Sequence, residues 1–228
     1  MTVRVVILDD HISIVDGYNY RLSKTPEVKV VATGLFGEEL EPLLAEHPTD
    51  VLLLDVNIPT SPENHNPFPI LHLIPHLLES YPNLKILIIS MLNQRTLIEA
   101  MAEAGVSGYI LKDDQASIEQ LGKIVLMVAS GGLHFSPGTI QEPSDPSAHP
   151  TLTARQLEAL SLCAAYPDGA TTLLARKLGI SGSTLRNLLS GAYLRLGVRT
   201  RAAAITRAQQ IGLIPPGDPG AGIKTVPE

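Results

Sequence analysis

Val51-Leu52-Leu53-Leu54-Asp55 is a run of four apolar residues that ends in a carboxylate and lies between Pro48 and Pro59. An apolar run this short predicts a strand that is buried on both faces, as in a parallel sheet with helices above and below. Asp55 would then stand at the carboxyl end of the strand, where open α/β sheets bind ligands. Aspartate is also common where a strand enters a turn, so Asp55 alone does not establish a functional site.

Three other apolar runs end in polar residues. Val3 to Leu8 is followed by Asp9 and Asp10, Leu84 to Ile89 by Ser90, and Gly108 to Leu111 by Lys112. Three neighbouring carboxylates repel one another unless a cation lies between them, and hard oxygen ligands suit Mg²⁺. With that metal and Lys112 neutralising charge, Asp55 can attack phosphorus and hold an acyl phosphate.

Strand and helix patterns alternate five times along the first half of the chain. The strands are at 3–8, 28–33, 51–54, 85–89 and 108–111, and the helices are near 13–23, 38–46, 70–79, 96–104 and 117–129. This alternation predicts an α/β fold with a five-stranded, doubly wound parallel sheet. Right-handed crossovers place the first and third strands side by side, which brings Asp9, Asp10 and Asp55 together.

The charge of the chain is divided unevenly. Residues 1–150 carry 8 basic and 19 acidic side chains, a net charge of −11, whereas residues 151–214 carry 8 and 2, a net of +6. A small basic domain joined to an acidic one suggests nucleic acid as the partner of the basic domain. Composition divides the chain into a first domain at 1–130, a Gly, Ser and Pro-rich linker at 131–150, a second domain at 151–214 and a disordered tail at 215–228.

The second domain carries the pattern of a helix-turn-helix. Thr153 is the expected N-cap of its first helix, with Gln156 completing a capping box. Further helices are expected at about 171–178, 183–194 and 201–211, and the spacing of their leucines predicts two helices joined by a tight turn. The second helix of the pair would point four residues outward, where they can reach bases or phosphates: Arg186, Asn187, Ser190 and Gly191.

Both halves resemble known modules. The ordered set of strand-end residues in the first half is similar to that of a flavodoxin-like receiver domain of two-component response regulators: Asp9, Asp10, Asp55, Ser90, Tyr109 and Lys112. The second half resembles the LuxR-type DNA-binding domain, most closely in Leu178-Gly179-Ile180-Ser181, Ser183-Thr184-Leu185-Arg186 and the stretch from Leu194 to Arg201. The two modules in this order resemble the NarL/FixJ family of response regulators.

This resemblance implies a function and a set of sites. Asp55 would be the phosphoacceptor, with Ser90 and Lys112 contacting the phosphoryl group and Tyr109 acting as the switch residue. Mg²⁺ would be the cofactor, and four groups would hold it: the side chains of Asp9, Asp10 and Asp55 and the backbone of Asn57. DNA contacts would come from Arg186, Asn187, Ser190, Arg195 and Arg199. The implied partners are a sensor histidine kinase, double-stranded DNA and a second copy of the chain in a homodimer.

The chain departs from the family pattern in two places. A loop with four prolines occupies residues 59–69, where receivers have a short turn, and it excludes a helix before about Ile70. In the second domain, three positions that are usually basic or polar in the LuxR-type domain are occupied by Thr172, Leu188 and Gly191. This predicts weaker contacts to the DNA backbone and a DNA affinity that depends less steeply on salt.

Histidines and the single cysteine have simpler interpretations. His65, His72 and His76 lack an evident fourth ligand, so we interpret them as solvated or core histidines rather than a zinc site. Cys163 is flanked by apolar residues and is expected to be a buried, unreactive thiol. No membrane span or signal-peptide pattern occurs, so a cytoplasmic location is expected.

The sequence favours a regulator that is not an enzyme over three other functions. A haloacid dehalogenase-type phosphatase needs a second aspartate two residues after the nucleophile, but that residue is Asn57. A nucleotide-binding domain would need a Gly-rich turn after Leu8, and this chain has none there. The remaining alternative is a pseudo-receiver that binds DNA without phosphorylation and responds to another ligand or protein. The complete acidic set argues against it.

Overall fold

The computed structural model describes residues 2–137, 139 and 152–216. Its first domain is a parallel α/β sheet with the strand order β2-β1-β3-β4-β5-β6. The strands are β1 (Val3–Leu8), β2 (Val28–Gly34), β3 (Val51–Leu54), β4 (Lys85–Ser90), β5 (Gly108–Leu111) and β6 (His134–Phe135). The order reverses beside β1, so β1 and β3 are direct neighbours, as the sequence predicts.

Helices cover both faces of this sheet: α1 (Ile12–Leu22), α2 (Leu40–Glu46), α3 (Ile70–Ser80), α4 (Arg95–Glu103), α5 (Gln115–Glu119) and α6 (Leu121–Ala129), with a short 3₁₀ turn at Gly37–Glu39. Alternate residues of the central strands pack against opposite layers. Leu52 and Leu54 belong to the core under α2, α3 and α4, whereas Val51 and Leu53 belong to the core under α1 and α6. This two-sided burial explains the uninterrupted apolar run of β3.

The sequence predicts five strands, but the sheet has six. β6 lies within the predicted linker and pairs in parallel with β5, with His134 opposite Gly108 and Phe135 opposite Tyr109. Leu133, which directly precedes β6, is 67% exposed. The predicted helix at 117–129 is divided into α5 and α6. The rest of the predicted linker, at 138 and 140–150, lies outside the described residues.

The second domain contains four helices: α7 (Ala154–Ala165), α8 (Thr171–Lys177), α9 (Gly182–Leu196) and α10 (Arg201–Gln210). The predicted capping box is confirmed, because Thr153 Oγ1 accepts from the Gln156 amide while Gln156 Oε1 accepts from the Thr153 amide. Between α8 and α9, Gly179 adopts a φ of +63°, which ends α8 in the left-handed conformation that glycine tolerates. α8 and α9 therefore form the expected helix-turn-helix.

The two domains pack against each other through an apolar contact. α7 lies against α3 and α4, and the buried core runs continuously from the sheet into the helical domain. Leu213 and Ile214, which follow α10, are 4% and 1% exposed and line the contact with α4. Pro215, predicted to begin a disordered tail, is buried in the same contact, and the tail from 217 onward lies outside the described residues.

The Pro-rich loop after β3 is ordered by its own backbone. Pro59 and Pro67 form an antiparallel bridge, the Thr60 amide donates to Asn66 O, and α3 begins at Ile70 as predicted. The tip of this loop reaches the second domain, because Asn64 Nδ2 donates to Ala165 O at 3.1 Å. No helix in the described ranges is both long and apolar enough to cross a membrane.

Candidate functional site

The carboxyl ends of β1, β3 and β5 bring the predicted acidic residues into one pocket. Asp9 and Asp55 are 1% and 3% exposed, and the side chain of Asp10 lies beside them at 27% exposure. Asp55 Oδ1 accepts from the Asn57 amide at 3.1 Å, and Asp9 Oδ1 accepts from the His11 amide at 2.9 Å. These backbone contacts fix the direction of two of the three carboxylates.

Lys112 bridges the two most buried carboxylates. Its Nζ atom lies 2.8 Å from Asp9 Oδ2 and 2.7 Å from Asp55 Oδ2, and its side chain is 9% exposed. Burial works against the charged ammonium, but the Asp55 and Asp9 carboxylates outweigh it and raise the pKa of Lys112 above its usual value. Lys112 therefore stays protonated, which allows it to neutralise charge at the pocket.

Burial also shifts the pKa of the central carboxylate, Asp55. Desolvation raises the pKa of Asp55 above its ordinary value, and the charge of Lys112 offsets only part of this effect. A carboxylate with a raised pKa is more basic than a solvated one, which favours it as a nucleophile once it is ionised.

Ser90 and Tyr109 connect the pocket to the loop after β4. Ser90 is 0% exposed, and its Oγ accepts from the Leu92 amide at 3.2 Å. Tyr109 is also 0% exposed, and its hydroxyl donates to Leu92 O at 2.6 Å. Both side chains thus hold the same residue of the β4–α4 loop, one through its amide and the other through its carbonyl.

The pocket has the donors and the charge that a divalent cation needs. Three carboxylates and one ammonium leave a net charge of about −2 when all are ionised. Among the described residues, the group with ligand atoms close enough to share one ion is Asp9, Asp10, His11 and Asp55, whose ligand atoms lie within 4.8 Å of one another. Asp10 Oδ1 is buried, and His11 Nδ1 lies 2.7 Å from it. The residues therefore fit a bound metal, and His11 is a member that the sequence did not suggest.

The predicted DNA-reading residues are on α9 and the turn after it. Leu185, Leu189 and Ala192 are buried as expected, while Arg186, Asn187, Ser190 and Arg199 are exposed. Ser181 caps this helix by accepting from the Thr184 amide at 3.1 Å. The outward face of α9 is accessible in the arrangement with both domains packed together.

Three residues of the helical domain have structural contacts that the sequence did not suggest. Arg195 Nη1 donates to Gln156 Oε1 at 3.1 Å, which ties the end of α9 to the start of α7. A Cβ on Gly191 would lie 2.5 Å from Gln156 Nε2, so Gly191 faces α7 rather than projecting freely outward. Arg201 donates to Gly169 O at 2.8 Å and to Thr171 Oγ1 at 3.1 Å, which holds the first turn of α8.

The interface between the domains also contains a polar contact. His72 Nδ1 lies 3.0 Å from Glu158 Oε1, and the two side chains are 14% and 11% exposed. His72 is therefore neither a solvated nor a core histidine but half of an interdomain pair. The sequence carries no local signal for it, because the partners are separated by 86 residues.

A doubly wound sheet with an acidic pocket and a lysine at its carboxyl edge is joined here to a helix-turn-helix domain, which defines a two-domain protein with a strand-edge site and a DNA-binding motif. Residues 5–123 match the response regulator receiver domain family. The chain therefore belongs to the response regulator family, as predicted.

Relatives extend the likeness to both domains. The chain is 26% identical over 236 residues to the transcriptional regulatory protein DegU of Brevibacillus brevis, covering 93% of this chain and 95% of that protein. It is 29% identical over 220 residues to the probable transcriptional regulatory protein NarL of Mycobacterium tuberculosis, covering 93% and 96%. These matches support the NarL/FixJ type within the family.

Solved structures share the same fold. RcsB, a response regulator of Salmonella typhimurium studied for its conformational dynamism in DNA interaction, has a TM-score of 0.63 at 24% identity, covering 92% of this chain and 98% of that one. A structure of two RcsB dimers bound to two parallel DNAs has a TM-score of 0.55 at 22% identity, covering 92% and 100%. The chain is thus a response regulator with a receiver fold followed by a helical domain.

Proposed function

We propose that the chain is a transcription factor that a sensor histidine kinase phosphorylates on Asp55 and that binds promoter DNA through residues 152–214. The observation that supports this best is the placement of Asp55 beside Lys112 and Asp9, at the edge where the sheet reverses its order. The relatives matched over most of the chain carry the name of transcriptional regulators, which favours a regulator over an enzyme.

In the proposed phosphoryl transfer, an Asp55 oxygen attacks the phosphorus of a phosphohistidine. The new P–O bond forms as the P–N bond breaks, and the imidazole of the kinase leaves and takes up a proton. Lys112 and Ser90 contact the phosphoryl oxygens, since both side chains lie at the same strand edge as Asp55. Lys112, held protonated by the carboxylates around it, supplies fixed positive charge for the oxygens of the transferred group.

We propose Mg²⁺ as the cofactor of this step. Asp9, Asp10, Asp55 and the backbone carbonyl of Asn57 would hold it, because hard oxygen donors with a net negative charge are the ligands that Mg²⁺ prefers. When bound, the ion would neutralise charge on the transferred phosphoryl oxygens.

DNA recognition is proposed for the exposed face of α9. Arg186 and Asn187 suit guanine and adenine edges, and Ser190, Arg195 and Arg199 are proposed to contact the backbone or bases. Arg195 would combine DNA contact with its bond to Gln156. As in the RcsB dimers bound to DNA, we propose that two copies of the chain bind together. Because the proposed partner is promoter DNA, the protein is proposed to act in the cytoplasm.

Phosphorylation is proposed to reach the second domain through the β4–α4 loop. Tyr109 and Ser90 hold Leu92 of this loop, and the side chain of Gln94 in the same loop packs against Gly212 after α10. A phosphoryl group that draws Ser90 toward Asp55 would therefore change the loop on which the end of α10 rests. This short path favours phosphorylation as the signal.

The test compares DNA affinity before and after phosphorylation. Full-length protein is titrated against promoter fragments with and without acetyl phosphate and Mg²⁺, using Asp55→Asn as the control. The proposal expects tighter or more cooperative binding for the phosphorylated wild type and no response in the variant. Equal binding in all four samples would favour the alternative, a regulator that ignores phosphorylation.

A further inference from the structure

Leu194, near the end of α9, is the most exposed large apolar side chain in the described ranges, at 84%. A single exposed apolar residue is common on protein surfaces and by itself indicates no function. The place of Leu194 on its helix distinguishes it from Leu133 and Leu173, which are also exposed. It belongs to the helix that we propose reads DNA.

The direction of Leu194 follows from the periodicity of α9. Successive residues of an α-helix turn by about 100°, and four buried residues define the side of α9 that packs against its own domain: Leu185, Leu189, Ala192 and Leu196. On this helical wheel Leu194 lies nearly opposite the buried side, about 20° from Asn187 and about 40° from Ser190. The leucine is therefore near the centre of the exposed face that carries the proposed DNA contacts.

The length of α9 places Leu194 further along the same groove. An α-helix rises about 1.5 Å per residue, so Leu194 lies about 10 Å beyond Asn187 along the axis, which corresponds to about three base-pair steps. The major groove is wide enough to admit an α-helix. A helix that lies along the groove with Asn187 at a base edge thus brings Leu194 to a base pair about three steps away.

The chemistry of leucine selects one kind of group in that groove. An aliphatic side chain has no hydrogen-bond donor or acceptor, so it cannot pair with the polar edges of guanine, cytosine or adenine. The C5-methyl group of thymine is the apolar group that the bases present there, and apolar side chains contact it. Burying one methyl group strengthens binding about fourfold, which makes thymine the preferred neighbour of Leu194.

We propose that Leu194 is a specificity-determining residue that contacts the C5-methyl group of a thymine, about three base pairs from the base that Asn187 contacts. This inference rests on the proposed DNA binding by α9 and specifies one base of the recognised sequence. Arg186 and Asn187 would supply the polar contacts of the reading face, and Leu194 would select a thymine by its methyl group.

The test first finds the DNA sequence that the full-length protein prefers and then removes single methyl groups from it. Wild type selects duplexes from a random pool, and the selection is repeated with Leu194→Ala and Leu194→Gln. Leu133→Ala is the matched control, because it shortens an exposed leucine outside the helical domain. In the selected duplex, each preferred thymine is replaced singly by deoxyuridine, which lacks the methyl group and keeps the base pair. The affinities of the proteins for the two duplexes form a double-mutant cycle.

Wild type and Leu133→Ala are expected to prefer a thymine at the same position, and deoxyuridine there should weaken their binding about fourfold. Both Leu194 variants should lose the preference at that position alone, and their affinities should not respond to deoxyuridine. Their thermal unfolding should match that of wild type, because the side chain is exposed. A selected sequence without such a thymine, or an equal response to deoxyuridine in wild type and Leu194→Ala, would overturn the proposal.

The failure of this inference and that of the proposed function give different results. If wild type selects a sequence that all variants read equally, DNA binding stands and Leu194 is not a reader. If Leu194→Ala changes the oligomeric state in sedimentation while the thymine preference persists, the leucine belongs to a contact between copies and the inference is wrong. If wild type selects no sequence, the proposed DNA recognition fails and this inference fails with it.

Discussion

Glu158→Gln should weaken the contact between the two domains. Glu158 accepts from Arg155 Nη1 at 2.8 Å within the helical domain and contacts His72 Nδ1 at 3.0 Å across the interface. Glu158 and His72 are largely buried, whereas the Arg155 side chain is 71% exposed. The interdomain contact is therefore the one with the larger energetic consequence.

The two contacts are expected to differ in magnitude. A hydrogen bond to a charged group with both partners shielded from water contributes about 1.5–3 kcal/mol, while an exposed ion pair contributes about 0.2–1 kcal/mol. Glutamine retains an acceptor but not the charge, so we expect Glu158→Gln to lower the free energy of unfolding by about 2 kcal/mol. Arg155→Ala, the matched control, should lower it by less than about 1 kcal/mol.

The pH dependence follows from the pKa of Glu158. Burial alone would raise this pKa, but hydrogen bonds from His72 and Arg155 outweigh it and lower the pKa below its usual value. A carboxyl group with a lowered pKa stabilises the folded state above its unfolded pKa of about 4.3, and this contribution is lost as the pH falls through the folded pKa. The difference in the free energy of unfolding between wild type and Glu158→Gln should therefore be largest near neutral pH and become smaller in acid.

Urea unfolding followed by circular dichroism measures the free energies, and amide hydrogen exchange along α3 and α7 reports the interface itself. Faster exchange on both helices in Glu158→Gln is expected. An equal loss of stability in Glu158→Gln and Arg155→Ala, or unchanged exchange on α3, would refute the argument.

Three further predictions concern packing, DNA and the lifetime of the phosphoryl group. In α6, Gly122→Ala would place a Cβ 2.0 Å from Thr25 Oγ1 and should cost about 1–3 kcal/mol in thermal unfolding, whereas Gly17→Ala in α1 meets nothing within 4 Å and should be neutral or stabilising. Arg186→Ala should weaken DNA binding in a gel-shift titration by about 1–3 kcal/mol, and unchanged affinity would remove this residue from the interface. The thioether of Met91 is 66% exposed and is expected to shield the phosphoryl group from water, so Met91→Ala should shorten the phosphoryl half-life several-fold. An unchanged decay rate of the phosphoprotein after removal of the donor would contradict this prediction.

Local sequence patterns were sufficient to predict the sheet and its polar edge. The bounds of β1, β3 and β5 agree with the predicted runs, because a strand buried on both faces must be apolar throughout. The handedness of crossovers predicted that β1 and β3 are neighbours, and this pairing places Asp9 beside Asp55.

Features that depend on distant residues were not predictable in this way. β6 has only two residues, and its pairing with β5 gives no periodic pattern. The contact of His72 with Glu158 joins residues from different domains, and each residue alone has an ordinary surface interpretation. The sequence also gives no signal for His11, because only the folded pocket brings its ring against Asp10.

Intact-mass analysis after incubation with acetyl phosphate tests the central claim most directly. With a divalent cation present, wild type should gain the mass of one phosphoryl group, and both Asp55→Asn and wild type treated with a chelator should gain none, because Asp55 is the nucleophile and its carboxylate neighbours repel an anionic donor without a cation. A gain of the same mass in Asp55→Asn, or no gain in wild type, would contradict the account.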